Sequence, residues 1–128
     1  MTLLVRDVMT IGVPVCRDAE PCGRVVTRLQ RENQPVVVAL DEDGMACGWL
    51  TCAQLESAPP TRPCGEVMDE AIPTVSPDLP VEAAVQLMRE RGVEYLFLMH
   101  AWPGEPRPAA VISLTAIERQ VNETAKPV

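Results

Sequence analysis

The chain has 128 residues, a formal net charge of −7 and a hydrophobic fraction of 47%. That length is enough for one compact domain with a core of its own. No window approaches the roughly eighteen uninterrupted apolar residues of a membrane span, and the N-terminus lacks the basic and apolar segments of a signal peptide. We therefore expect a cytoplasmic protein without membrane contact. The acidic charge and the small aromatic content, two Trp, one Tyr and one Phe, argue against nucleic acid as a partner.

The cysteine count is odd, so any set of disulfide pairs leaves one thiol over, and no two cysteines have the C-x-x-C spacing. The five residues are Cys16, Cys22, Cys47, Cys52 and Cys64. We interpret them as small, reduced core residues. A redox or metal-binding role is the alternative.

The sequence contains two copies of one unit, which is the first feature to establish because it decides the fold. Residues recur 59 positions later in four pairs, Val8 and Val67, Met9 and Met68, Pro14 and Pro73, Pro21 and Pro80. Further on, Leu50-Thr51 aligns with Ile112-Ser113 at a spacing of 62. The second copy is therefore longer, and the extra residues fall in the segment 100–108.

The first copy predicts the order strand, helix, strand, strand, helix. Its first helix has an apolar stripe at i, i+3, i+4 and i+7, formed by Cys22, Val25, Val26 and Leu29. The helix follows Pro21 and ends at Asn33, a residue that tolerates the left-handed conformation. A continuous apolar strand over 36–40, a tight turn at 43–44, a third strand and a short helix from near Cys52 complete the copy.

The second copy repeats this order. Its helix carries the stripe Val81, Ala84, Val85 and Met88, follows Pro80 and ends at Gly92. A strand is predicted over 95–99 and a final helix from near Leu114. Between them, the segment 100–108 contains three prolines, which predict a projecting loop in place of a tight hairpin.

These features resemble a tandem pair of CBS domains, also called a Bateman module. The resemblance rests on the segments 5–10 (VRDVMT), 40–44 (LDEDG), 48–51 (GWLT), 65–69 (GEVMD), 74–78 (TVSPD), 89–93 (RERGV) and 111–113 (VIS). It implies an α/β fold of two β-α-β-β-α repeats related by pseudo-twofold symmetry. The repeats then occupy residues 1–57 and 64–122, with a linker at 58–63 and a tail at 123–128.

The resemblance also implies a function. Family members often bind adenine nucleotides or S-adenosylmethionine in clefts between the two repeats, and two modules commonly form a homodimer. The pair is usually fused to an enzyme, channel or transporter, whereas here we expect it to stand alone. The chain is therefore expected to be a ligand-sensing regulatory module that signals to an unidentified partner protein. The alternative is a ligand-independent scaffold that dimerises.

The expected ligand-binding residues follow from the family phrase Gly-h-h-(Ser/Thr)-x-x-Asp, where h is hydrophobic. The resemblance places the hydroxyl at Thr51 and Ser113, and the ribose-binding Asp at Gln54 and Ala116, neither of which is acidic. Gln54 is expected to accept a hydrogen bond from one ribose hydroxyl. The other expected ligand contacts are Val13, Pro14, Val36, Ile72, Pro73 and Tyr95.

Several of these positions also have a purely structural interpretation. Thr51 and Gln54 form a capping-box pattern, which starts a helix without any ligand. Val13, Val36 and Ile72 are also interpretable as core residues, and Tyr95 as a core aromatic with its hydroxyl at the rim.

The sequence contains no catalytic constellation. His100 is the sole histidine, and no orienting carboxylate accompanies it. We therefore expect no enzyme activity, no metal and no cofactor beyond an adenosine-type regulatory ligand. Arg24, Arg28 and Arg31 form a stripe on the first helix, interpreted as a solvated face or as a surface for an anionic partner.

Overall fold

The computed structural model describes the backbone of residues 2–102 and 105–125 and the side chains of residues 2–99 and 107–120. The first half contains α1 (Val5–Val8), β1 (Thr10–Ile11), β2 (Val15–Arg17), α2 (Cys22–Glu32), β3 (Val36–Leu40), β4 (Ala46–Thr51) and α3 (Cys52–Ser57). The second half contains a 3-10 turn (Cys64–Glu66), α4 (Val81–Arg91), β5 (Tyr95–Trp102), β6 (Glu105–Ser113) and α5 (Leu114–Ala125). The fold is α/β, as the sequence predicts.

The two long helices begin and end where the sequence predicts. Pro21 and Pro80 are the N-cap residues of α2 and α4. Asn33 ends α2 with φ 60°, and Gly92 ends α4 with φ 66°. A left-handed residue here directs the chain out of the helix and lets its N–H satisfy a free carbonyl of the last turn.

Each helix buries its predicted stripe against its own hydrophobic cluster. The α2 cluster contains Cys16, Cys22, Val25, Leu29, Val37, Ala39, Leu50, Leu55 and Cys64. The α4 cluster contains Val5, Val81, Ala84, Met88, Leu96, Leu98, Ala110, Ile112 and Ile117.

Two three-stranded sheets have the orders β2-β3-β4 and β1-β6-β5. In the first, β2 is parallel to β3, with Val15 opposite Val38, and β3 is antiparallel to β4, with Val36 opposite Thr51. In the second, β1 is antiparallel to β6. The second copy has no counterpart of β2 among the described strands. Only an isolated parallel bridge joins Thr74 to Phe97.

The predicted projecting loop at 100–108 is wrong for most of its length. The strand β5 continues to Trp102, and β6 starts at Glu105. Glu105 and Arg107 each precede a proline, and a residue before proline is restricted to extended conformations. Alternating prolines therefore favour strand backbone here. The side chains of residues 100–106, including that of Trp102, lie outside the described residues.

In the fold, each compact unit contains the opening segment of the other copy, so the two opening segments are exchanged. The α4 unit contains residues 1–12, 73–99 and 109–128, and the α2 unit contains residues 13–72 and 100–108. Segment 1–12 thus packs with the second copy, and the segment that opens the second copy packs with the first. The predicted boundaries, 1–57 and 64–122, mark the two copies in the sequence and not the compact units, and they stay a prediction.

The same backbone hydrogen bonds hold both exchanged segments. In the α4 unit, the N–H groups of Val5, Arg6 and Val81 donate to the carbonyls of Leu79, Pro77 and Leu3, at 2.8, 3.1 and 2.9 Å. At the equivalent positions of the α2 unit, the N–H groups of Cys64, Gly65 and Cys22 donate to the carbonyls of Glu20, Asp18 and Arg62, at 2.9, 2.8 and 2.8 Å. Each exchange is therefore anchored in the same way.

The cysteines are free thiols, three of them buried in the α2 cluster. A hydrogen bond with Cys16, together with burial, raises the pKa of the Cys64 thiol far above its ordinary value. Burial also raises the pKa of Cys22, Cys47 and Cys52. Over the residues described, no cluster of His, Cys, Asp or Glu is arranged to hold a metal ion.

Candidate functional site

The candidate site of the α2 unit lies where the starts of β2 and β3 meet the junction between β4 and α3. The Pro14 carbonyl accepts a hydrogen bond from the Val38 N–H at 3.0 Å, and Val36 is paired with Thr51. At the start of α3, the Cys52 N–H donates to the Pro35 carbonyl at 3.0 Å. Pro14, Val36 and Thr51 are therefore brought together at one end of the β2-β3-β4 sheet.

The α4 unit repeats this arrangement with the same bonds. The Pro73 carbonyl accepts from the Phe97 N–H at 2.8 Å, and the Leu114 N–H donates to the Glu94 carbonyl at 2.9 Å. These bonds place Pro73, the start of β5 at Tyr95, and Ser113 next to one another. Their role in binding stays a prediction.

The predicted contacts differ in accessibility. Val36 is only 1% exposed, which fits the alternative interpretation as a core residue, and Pro73 is also buried. Val13, Pro14, Ile72 and Tyr95 are half-buried. Within each unit, the half-buried positions are the better placed to touch a ligand.

The Thr51–Gln54 pair forms a complete capping box. The Gln54 N–H donates to Thr51 Oγ1 at 3.2 Å, and Gln54 Oε1 accepts from the Thr51 N–H at 2.8 Å. Gln54 Oε1 also accepts from the Thr51 hydroxyl at 3.3 Å. An amide oxygen has two lone pairs, so this oxygen has no acceptor capacity left. The polar group that the capping box leaves unused on Gln54 is the Nε2 donor, and contact of Gln54 with a ribose stays a prediction.

The equivalent pair in the second copy is half a capping box. The Ala116 N–H donates to Ser113 Oγ at 3.1 Å, but an alanine side chain has no oxygen to return the bond. The hydroxyl position is therefore used for helix capping in both copies, and only the first copy has a polar group at the position where the family phrase has Asp.

Gly48 is required by a close approach that the sequence did not reveal. A Cβ at this position would stand 2.7 Å from Met68 Cγ and 2.9 Å from the Asp69 carbonyl oxygen, and would overlap Met68 Sδ. Asp69 cannot move aside easily, because it exchanges two backbone hydrogen bonds of 3.0 Å with Trp49. The glycine of the family phrase thus lets the exchanged segment pack against β4. The equivalent residue of the second copy, Ala110, is 2% exposed.

One groove in each unit is built by equivalent positions of the two copies. The α3 groove has a volume of about 570 Å³ and is lined by residues that include Gln54, Ser57, Pro59, Arg62, Glu66 and Val67. The α5 groove has a volume of about 320 Å³ and is lined by residues that include Asp7, Val8, Thr10, Ala116, Arg119 and Gln120. The repeat spacing maps Glu66 onto Asp7, Val67 onto Val8 and Gln54 onto Ala116.

The α3 groove contains residues that sequence reasoning missed. Arg62 lies in the predicted linker, and Glu66 opens the second copy. Only the exchange of opening segments brings them beside α3. A repeat spacing alone gives no signal of this proximity.

The arginine stripe on α2 is partly used within the α2 unit. The Arg28 guanidinium pairs with the Glu20 carboxylate at 3.2 Å and donates to the Val15 carbonyl at 3.2 Å. The hydrogen bond with Arg28 lowers the pKa of Glu20. Arg24 and Arg31 are exposed, so any anionic partner surface would rest on these two.

None of the helices, over the residues that the structure describes, is both long and apolar enough to cross a membrane.

Comparison with known proteins identifies the fold. A family model of the CBS domain matches residues 64–122. The CBS domain pair of protein MJ0100, in complex with 5′-methylthioadenosine and S-adenosyl-L-methionine, has a TM-score of 0.84 at 17% identity, with coverage of 97% of this chain and 99% of that chain. The CBS-domain containing protein ATU1752 from Agrobacterium tumefaciens has a TM-score of 0.79 at 16% identity, with 93% of each chain covered.

A third solved structure, the cytosolic domain of the Mg2+ channel MgtE in complex with ATP, has a TM-score of 0.72 at 20% identity. That match covers 89% of this chain and 47% of the MgtE chain. A search of curated protein sequences finds no significant match. A CBS-domain family model thus matches residues 64–122, and the chain as a whole has the fold of a tandem CBS-domain pair.

Proposed function

We propose that this protein is a regulatory module that binds an adenosine-type small molecule and transmits the change to a partner protein. The ligand class includes AMP, ADP, ATP and S-adenosylmethionine. The observation that carries the proposal is the bond pattern that assembles Pro14, Val36 and Thr51 in one unit and Pro73, Tyr95 and Ser113 in the other. Solved proteins of this fold hold S-adenosyl-L-methionine, 5′-methylthioadenosine or ATP, which supports the ligand class.

The two units are unequal candidates for binding. In the α2 unit, Val13 and Pro14 offer apolar surface for a purine, and Gln54 Nε2 can donate to a ribose hydroxyl oxygen. In the α4 unit, Ala116 offers no polar group to a ribose. The α2 unit is therefore the proposed principal site.

The test is thermal unfolding with each ligand in turn. A ligand that binds only the folded protein at about a hundred times its Kd adds ~2.7 kcal/mol to stability, which for a domain of this size raises Tm by roughly 10 °C. Guanosine analogues are the matched control. If every adenosine compound leaves Tm unchanged at millimolar concentration, the proposal fails.

A second candidate function is a ligand-independent scaffold that forms a homodimer. It is favoured by the occupied acceptor of Gln54 and by Ala116, since neither copy presents a free carboxylate at the expected ribose position. This candidate predicts a dimer in sedimentation experiments whose mass and stability ignore nucleotides. A monomer at micromolar concentration would contradict it.

A further inference from the structure

The segment that carries Arg62 and Glu66 is anchored by backbone hydrogen bonds. The Gly23 N–H donates to the Pro60 carbonyl at 2.9 Å, the Cys22 N–H donates to the Arg62 carbonyl at 2.8 Å, and the Gly65 N–H donates to the Asp18 carbonyl at 2.8 Å. A Cβ on Gly23 would stand 2.9 Å from Pro60 Cβ, so the segment is packed as closely as the chain allows. Arg62 and Glu66 therefore project from fixed positions, which lowers the entropic cost of binding through them.

Both charged side chains of the groove are available to a ligand. Arg62 and Glu66 are exposed. The ion pairs formed among the described side chains are Arg6 with Asp78 and Arg28 with Glu20, so Arg62 and Glu66 pair neither with each other nor with another described residue. Gln54 adds an Nε2 donor that its capping role leaves unused. A cation, an anion and an amide donor thus converge on one cavity with apolar walls, the usual composition of a small-molecule site.

We propose that the α3 groove holds the amino-acid end of an adenosine ligand of the S-adenosylmethionine type. The ligand's α-carboxylate binds the Arg62 guanidinium, which matches carboxylate geometry with paired N–H donors. Its α-ammonium group binds the Glu66 carboxylate. Gln54 Nε2 donates to the ribose. This proposal rests on the proposed function and specifies its ligand.

Charge separates this ligand from a nucleotide. A polyphosphate entering the groove would meet the Glu66 carboxylate and a protein of net charge −7, with Arg62 as the single cation among the lining residues. A zwitterionic amino-acid group satisfies both side chains at once. The groove therefore favours the amino-acid compound over phosphates.

The α5 groove does not present the same pair. The position equivalent to Arg62 is Leu3, which is apolar. The carboxylate equivalent to Glu66 belongs to Asp7, whose Oδ2 already accepts a hydrogen bond of 2.8 Å from the Leu4 N–H. The α5 groove has its own cation, Arg119, but Ala116 stands at the position equivalent to Gln54 and offers no donor to a ribose, so we assign one site of this class per chain.

Calorimetric titration with three compounds tests the proposal. S-Adenosylmethionine and S-adenosylhomocysteine carry the amino-acid end, whereas 5′-methylthioadenosine lacks it. We expect Arg62→Gln and Glu66→Gln each to weaken binding of the first two by about tenfold, the loss of one partly exposed charged contact, and to leave 5′-methylthioadenosine within about twofold. Arg31→Gln and Glu32→Gln, on the exposed end of α2, are the matched controls and should leave all three affinities unchanged.

The outcomes distinguish failure of the amino-acid site from failure of the adenosine-binding function. If all three compounds bind and the Arg62 and Glu66 variants weaken them equally or not at all, the amino-acid site is refuted while the adenosine-binding function stands. If no compound binds the wild-type protein, both are refuted. Because both side chains are exposed, the variants should unfold at the wild-type temperature, and a melting curve confirms this before titration.

Discussion

Replacing Gln54 by Asp tests whether the capping box conceals a ribose site. A carboxylate has two oxygens and about four acceptor positions, against the single oxygen of an amide. One carboxylate oxygen can therefore cap α3 while the other accepts from ribose. The chain already contains such a cap, because Asp7 Oδ2 accepts from the Leu4 N–H at 2.8 Å, three residues before it in α1.

The expected magnitudes follow from these bonds. A hydrogen bond to a charged acceptor contributes roughly 1.5–3 kcal/mol, so Gln54→Asp should tighten AMP binding by about ten- to a hundredfold. Folding stability should stay level or rise by about 0.3–1 kcal/mol, since a negative charge in the first turn of a helix is favourable. Gln54→Ala, which removes the return bond to Thr51, should lower stability by about 1 kcal/mol without tightening AMP binding.

Calorimetry with AMP and urea unfolding measure the two quantities separately. The reasoning is refuted if Gln54→Asp folds with wild-type stability and its affinity for AMP does not increase. A gain in affinity for Gln54→Ala would refute it equally, because that variant has no acceptor at this position.

Three further predictions concern stability and reactivity. Gly48→Ala should lower the unfolding free energy by about 1–3 kcal/mol through overpacking, and adding Met68→Ala should recover part of the loss in urea titrations; an unchanged midpoint for the single variant would contradict the close approach. Pairing with Arg28 lowers the pKa of Glu20 in the folded state. The folding stability that the pair contributes is therefore present above the ordinary Glu pKa of 4.5 and disappears as pH falls through the lower folded value. Arg28→Gln should therefore flatten the loss of stability below about pH 4.5, and parallel acid titrations of the two proteins would show no difference if the pair were unimportant. The raised pKa of the Cys64 thiol keeps it protonated, so mass spectrometry should find it alkylated only after unfolding; rapid alkylation in the native state would contradict its burial.

Local signals predicted the helices well because burial and termination are local properties. The stripe from Cys22 to Leu29 fixes the buried face of α2, and Asn33 fixes its end. The capping role of Thr51 and Gln54 is a pattern of four residues, and it could likewise be predicted.

Features that depend on distant segments could not be predicted from spacing. The exchange of opening segments joins residues such as Val5 and Leu79, which no local pattern connects. The α3 groove depends on that exchange, and so Arg62 appeared to be an ordinary linker residue. The strand through Pro106 and Pro108 could not be predicted from the prolines alone, because proline is common in turns and also restricts the residue before it to extended backbone.

The exchanged opening segments bear on how such a chain could arise and on how it can be cut. A polypeptide with a single copy could make the contact between Cys64 and Glu20 only with a second molecule, as an intermolecular domain swap. Joining two copies in one gene replaces that encounter by an intramolecular one, at an effective concentration set by the connecting segment. Cleavage within residues 58–63 should therefore leave two fragments that hold each other's first segments and reassociate, and that separate only when both units unfold.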